Sequence, residues 1–445
     1  MKRVTLLVSA LLGYLLVPLG AMAQDTSTQS PPVNGTLTLQ QCVEYALKNQ
    51  AQVRQSQLDE EIGERQIKAQ LSGWLPQITA QFAAAHNIQR QQMVFEGVAR
   101  PIGTNYTSNV LLQANQTLYS NDLLLASRAA NFTRTALDQN TKATKINTVV
   151  DVSKAFFNVL LTQEQLRILD ENIIRLEKQF RDARAQYEQG LVDKTDYQRA
   201  SITLASTRAD RKRAQENIKA RTAVLQELMG VPVGSDLQLA YDYNQMQQNI
   251  QVDTTQQVSF ANRVEFQQLQ TQRQIQVLNT RYYRWGFLPN ASLYGNYNPL
   301  FFSDNFSDLY SKAYPTSQVG LQVAIPIFQG GQRLQNMRIS ELRETRLDLD
   351  IQNLQRRINT EYQTSLANYK SDYNDWITLQ SNLQLAEEVY NVIKLQYNEG
   401  IKTYLDLIVA ETDLRTAQLN YYNALYSVLS SKLDVQRALG TIAVD

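Results

Sequence analysis

The chain has one cysteine and one histidine in 445 residues, and these two scarcities remove many functions at once. With Cys42 alone, no intrachain disulfide and no thiolate metal cluster can form. With His86 alone, His-rich zinc sites are excluded, and a histidine-dependent triad or general base has one candidate residue only. Charge of one sign is also missing: the formal net charge is +1, without the basic excess of a nucleic-acid footprint. Glycine (17) and proline (10) are too sparse for a chain of many short turns. Beyond the leader no apolar run is long enough for a membrane helix, and mean hydropathy is -0.37.

The leader itself reads as a secretory signal. Lys2 and Arg3 precede an apolar run from Val4 to Val17, Pro18 and Gly20 break it, and Ala21-Met22-Ala23 supplies the small-x-small cleavage pattern. No cysteine follows, so no lipid anchor is indicated at the new N-terminus. Residues 24–36, rich in Ser, Thr, Pro and Gly, read as a flexible lead-in.

The remainder is written twice. Gln186-Tyr187-Glu188-Gln189-Gly190-Leu191 matches Gln396-Tyr397-Asn398-Glu399-Gly400-Ile401 at an offset of 210, and the same offset carries Gly230 onto Gly440. Upstream, Trp74-Leu75-Pro76-Gln77 matches Phe287-Leu288-Pro289-Asn290 at 213. Small drifts in offset mark changes in loop length, so the chain divides into repeats at 37–230 and 256–445, joined by an irregular belt at 231–255. Each repeat is expected to hold a helix, two strands, a long helix and a further helix. The first runs as helix from Leu37 to about Gly73, then as helices from about Asp122 to Gln189 and Asp193 to Met229. The second has helices from about Gln256 to Gly286, Gln332 to Glu399 and Thr403 to Leu439.

The long helices span roughly 100 Å at 1.5 Å per residue, too deep for one globular domain. Two shorter helices stacked end to end match that length, so an antiparallel, coiled-coil-like wall is expected. The strands alternate. Val319, Leu321, Val323, Ile325 and Ile327 are apolar, while Gln318, Gly320, Gln322, Ala324 and Pro326 lie between them. Val110, Leu112, Ala114 and Leu118 alternate with Asn109, Gln113, Asn115 and Thr117 in the same way. Two readings of the apolar face remain open: packing on a soluble core, or facing lipid with the other face lining a water-filled lumen. An aromatic-rich connector from Phe301 to Tyr314 suits an interfacial girdle under the second reading. Four strands cannot close a barrel, so lipid would require several copies to share one.

Over nearly the whole mature chain these features resemble the TolC-like outer-membrane efflux proteins. The carriers are Leu37-Thr38-Leu39, Leu75-Pro76 and Leu288-Pro289, Val319-Gly320-Leu321 through Pro326-Ile327-Phe328-Gln329-Gly330-Gly331, and Tyr397-Asn398-Glu399-Gly400-Ile401 followed by Tyr404-Leu405-Asp406-Leu407. The resemblance implies a mainly α fold with a β-barrel contribution. Four strands and long helices per chain would assemble as a homotrimer with a twelve-stranded outer-membrane β-barrel on a periplasmic α-helical barrel. It implies a passive exit duct for efflux or type I secretion, coupled through a periplasmic adaptor (membrane fusion) protein to an inner-membrane transporter. No cofactor, no nucleic acid and no enzymatic activity are implied.

Carried over residue by residue, the resemblance places the adaptor at two tip turns, Gln189-Gly190-Leu191 and Glu399-Gly400-Ile401, although each is also explained as a plain hairpin reversal. It implies a gate latch in which Lys402 and Tyr397 face Thr195 and Asp196. Lys replaces the usual Arg, which removes bidentate bonding and weakens the latch. Asp406 matches one of two acidic positions narrowing the pore, but Val409 stands at the second; a solvated surface carboxylate is the plain alternative for Asp406. A periplasmic coiled-coil adaptor or scaffold remains the competing function, and an envelope hydrolase a remote third. Cys42, on the apolar stripe of the first helix with Val43 and Leu47, is expected to be packed rather than reactive. His86 is expected at a strand end or in an external loop.

Overall fold

The computed structural model describes residues 35–191, 193–232, 235–240, 246–247 and 250–444. The expected signal (1–23) and all but the end of the lead-in (24–36) lie outside them. The long elements follow the same order in both halves. A short strand β1 (Thr36–Leu37) precedes α1 (Leu39–Asn49) and α2 (Ala51–Leu71), then strands β2 (Gln77–His86), β3 (Gln92–Phe95), β4 (Val98–Pro101) and β5 (Tyr106–Tyr119). Helices α3 (Asn121–Glu188) and α4 (Lys194–Met229) complete the first repeat, and β6 (Gln238–Leu239) lies in the belt. The second repeat holds α5 (Val264–Trp285), β7 (Asn290–Ser303), β8 (Ala313–Ala324), α6 (Gln332–Asn398) and α7 (Tyr404–Leu439).

Four details differ from expectation. The first helix is two: Gln50 adopts extended backbone (φ -63°, ψ 130°), ending α1 and capping α2 through its side chain. Leu37 is not helical but pairs, parallel, with Leu239 of the belt, because Thr38 and Gln41 form a reciprocal capping box that starts α1 two residues later, at Leu39. The loop between the first two strands carries a hairpin, β3–β4, turning on Glu96 and Gly97, both at positive φ. In addition, β8 stops at Ala324, whereas the alternation continues to Ile327; Pro326 has no N–H to donate to a ladder.

The 68-residue α3 and 67-residue α6 are the rods. On α3 pack α2 toward the strands and α4 toward the distal end; α5 and α7 do the same for α6. Near the strands the helices are neighbours in the order α2, α3, α5, α6, matching the sheet order β2, β5, β7, β8. The largest core sits at the waist. There Cys42 and Ala46 meet Val152, Phe156 and Leu160 of α3, Leu225 and Met229 of α4, and Leu425, Val428 and Leu429 of α7. The belt packs on this core through Leu237, Leu239 and Ile250, and the Tyr369 hydroxyl ties it down by donating to Ile250 O (3.0 Å) and accepting from Val252 N–H (3.2 Å).

Candidate tip site and the two faces of the sheet

The four long strands form one antiparallel sheet, and its register sorts the residues by chemistry. Ile78 pairs with Ala114, Ala80 with Leu112 and Phe82 with Val110. Across the next ladder Leu112 faces Tyr297 and Ala114 faces Gly295, which pairs with Val319; Leu293 pairs with Leu321. Cross-strand partners share a face, so these residues form one apolar surface. The other face carries Thr79, Gln113, Asn296 and Gln318 in one row, with Gln81, Asn109, Asn298 and Thr316 beside it. Asn109 donates to Asn298 Oδ1 at 3.2 Å, and Gln318 to the Tyr294 hydroxyl at 3.3 Å. Strand residues on this polar face carry no charge. The apolar surface is exposed: Ile78 is 77% and Val319 78% accessible.

At the far end of the sheet aromatic side chains gather. Tyr310 folds back so that its ring meets Phe301 (5.2 Å) and its hydroxyl donates to Ser108, while His86 stacks on Tyr106 at 4.5 Å. His86 is the last residue of β2, with Nδ1 3.2 Å from Asn105 O.

At the other end both hairpins close on the same turn. Gln189 and Glu399 cap the long helices, and Gly190 (φ 74°) and Gly400 (φ 75°) follow in the left-handed region. Gly190 N–H donates to Tyr187 O and Leu191 N–H to Gln186 O, each at 2.9 Å. Gly400 and Ile401 repeat the pair onto Tyr397 O (3.0 Å) and Gln396 O (2.8 Å). This double bonding ends an α-helix cleanly and requires the left-handed residue. Leu191 and Ile401, each 71% exposed, project from the turns, and nothing lies within 4 Å of where a side chain would leave either glycine.

The helices after the turns start differently. Asp193 accepts from Thr195 N–H (3.3 Å), and Asp196 adds a first-turn carboxylate at the positive end of α4. On α7, Asp406 closes a capping box. Its carboxylate accepts from Thr403 N–H (2.9 Å) and Oγ1 (2.7 Å), and its own N–H donates back to the hydroxyl. Those hydrogen bonds, and Lys402 more weakly, hold the Asp406 carboxyl below its ordinary range. The residue expected at a pore constriction is the one that builds this helix start. Val409 is half exposed.

The latch positions gather in part. Tyr397 packs with Tyr404 (6.2 Å), Ala183 and Ala200 where the hairpins touch. Burial, then the nearby Asp182 and Asp196 carboxylates, push its phenol upward. Thus Tyr397 and Asp196 share one neighbourhood. Among the described residues no hydrogen bond or ion pair joins Lys402 to Thr195 or Asp196, and Lys402 is exposed. Sequence reasoning passed over Glu411, buried between the hairpins (2% exposed), whose carboxylate accepts from Asn172 Nδ2 (3.1 Å), Arg175 Nε (2.9 Å) and Gln179 Nε2. Its one legible signal is a carboxylate in an apolar row with Leu407, Ala410 and Leu414.

The model of the outer membrane efflux protein family matches residues 42–231 and 257–441, one stretch per repeat. The chain belongs to that family. Outer membrane efflux proteins are ducts rather than catalysts, and this one is accordingly an outer-membrane channel protein reaching into the periplasm. It is 24% identical over 417 residues to the proteases secretion protein PrtF of Dickeya chrysanthemi, covering 90% of this chain and 87% of the relative. It is 21% identical to outer membrane protein TolC of Vibrio cholerae, over 85% and 84% of the two chains. Among solved structures it is similar to the open state of the Neisseria gonorrhoeae MtrE outer membrane channel, with TM-score 0.74, 19% identity and 91% of each chain covered. The Campylobacter jejuni CmeC outer membrane channel is similar too, with TM-score 0.73, 19% identity and 91% and 85% covered. The duplicated strand–helix fold is therefore that of outer membrane efflux channels.

Proposed function

We propose that three copies of this chain form a passive exit duct, gated at its periplasmic tip and fed through an adaptor by an inner-membrane pump. The observation that carries this is the open four-stranded sheet, apolar on one face and amide-lined on the other, with β2 and β8 as unpaired edges. Hydrocarbon tolerates no unpaired strand edge, so β2 of one copy pairs with β8 of the next until the barrel closes. The helix layer has matching open edges: Leu58 and Ile62 on α2, and Leu342 and Leu349 on α6, all more than half exposed. Stripes of that size on both flanks suit neighbouring copies. Twelve strands from three copies fall within the sizes such barrels adopt.

In this reading the polar face lines the lumen, and substrate passes a wall of amides and hydroxyls. The turns Gln189-Gly190-Leu191 and Glu399-Gly400-Ile401 present exposed apolar tips and bare backbone to the adaptor. Lys402 and Tyr397 latch the second hairpin to Thr195 and Asp196, Lys402 reaching across to a neighbouring copy, and Asp406 sets the constriction. Family relatives in protease secretion and efflux pumps make either a polypeptide or small molecules suitable cargo.

The test is single-channel conductance in a planar bilayer. Lys402→Ala combined with Asp196→Ala raises conductance if the latch is placed correctly. Unchanged conductance refutes that placement.

A further inference from the structure

We infer that Glu411, Arg175, Asn172 and Gln179 form a second, buried catch between the two hairpins that must part before the duct widens. The inference deepens the gated-duct reading and rests on it. Its residues are distinct from the tip latch: Glu411 lies eleven residues beyond Gly400, about 16 Å up α7.

The two hairpins have separate cores along this stretch. Ile173, Leu176 and Leu204 pack within the first, whereas Tyr390, Leu407, Ala410 and Leu414 pack within the second. Between them, near the tip, lie one small apolar cluster (Ala183, Ala200 and Tyr404) and the Glu411 cluster. The three donors stand at 172, 175 and 179, a spacing that puts them on one face of α3. All converge on the one carboxylate of α7, and the Arg175 guanidinium also lies 5.9 Å over the Tyr390 ring of α6. The cluster therefore joins the first hairpin to both helices of the second.

A permanent wall has no need of such a group. A buried ion pair replaced by apolar side chains of similar volume is often as stable or more so, while removing one partner leaves a charge stranded. What the polar cluster supplies is a defined registry that water can dissolve. Asn172 Oδ1, Arg175 Nη2, Gln179 Oε1 and the Tyr404 hydroxyl are buried there without a protein partner. Parting α3 from α7 hydrates these atoms together with the carboxylate, so separation is opposed by the hydrogen bonds yet favoured by solvation. A catch of this kind holds the hairpins closed and still releases.

Full-length protein in planar bilayers decides the matter, with thermal dissociation of the assembly measured in parallel. Glu411→Ala and Arg175→Ala are each expected to raise conductance several-fold, and the double variant to go no further than the larger single effect. Asp413→Ala, which removes an exposed carboxylate two residues on, leaves conductance unchanged. Should the alanine variants fail to assemble, Glu411→Gln carries the test, because it keeps the volume and removes the charge; a rise in its conductance supports the catch. Wild-type conductance with an unmoved Glu411→Gln overturns the catch alone. A wild-type protein that never conducts overturns the duct, and the catch with it.

Discussion

Adjacent residues of β8 offer the sharpest perturbation of the membrane face. Val319 lies near the middle of the strand on the apolar surface, 78% exposed, while Gln318 lies one residue earlier on the amide-lined face. Arginine on a lipid face costs about 2–4 kcal/mol near the bilayer midplane. Val319→Arg should therefore destabilise the inserted protein by about 3 kcal/mol per copy, and by roughly 6–12 kcal/mol when three copies insert together. Gln318→Arg points into water and should cost about 0.5 kcal/mol or less. It should instead shift the reversal potential toward anion preference, because the strand residues around it carry no charge. Urea titration of refolding in lipid vesicles measures the first effect, and bilayer recording in a salt gradient measures the second. A one-residue slip in register exchanges the faces. Equal costs for the two variants, or a larger cost for Gln318→Arg, would refute the assignment.

Two further outcomes follow from local geometry. Gly190→Ala should cost about 1–2 kcal/mol from left-handed backbone alone, since the added methyl meets open space. Gly440→Ala should cost more, because its methyl would also lie 2.7 Å from Asn262 O; thermal melting of the two variants gives the order. Burial pushes the Cys42 thiol up to about 12, which keeps it protonated and unreactive through neutral and mildly alkaline pH. Alkylation should be negligible in native protein at pH 8 and complete after unfolding; fast native labelling would contradict the packed waist.

The long elements were legible because each end carries local chemistry. Gly190, Gly230, Gly400 and Gly440 stop the four distal helices, and Thr403 with Asp406 starts one of them. The strand faces were legible because alternation survives any register that keeps parity, and Leu112 and Leu321 do fall on one surface. The break at Gln50 was not, since neither glycine nor proline marks it and the apolar stripe runs through. The β3–β4 hairpin was signalled by Glu96-Gly97 between apolar residues, a cue short enough to pass as loop. Glu411 could not be paired from sequence: its partners lie more than 230 residues away, and only the meeting of the two hairpins brings them together. The tip residues follow the same rule. Thr195 lies in the first turn of α4 and Lys402 just past its own glycine turn, and among the described residues no hydrogen bond or ion pair joins them.

The most direct measurement is covalent capture of the sheet edges. With Cys42 replaced by serine, single cysteines introduced along β2 and β8 should form disulfides between chains in outer membranes. The ladder of products should end at three chains, with a closed ring as the largest species. A protein that stays a single chain under the same oxidation, or yields only pairings within one chain, would contradict closure of the barrel by neighbouring copies.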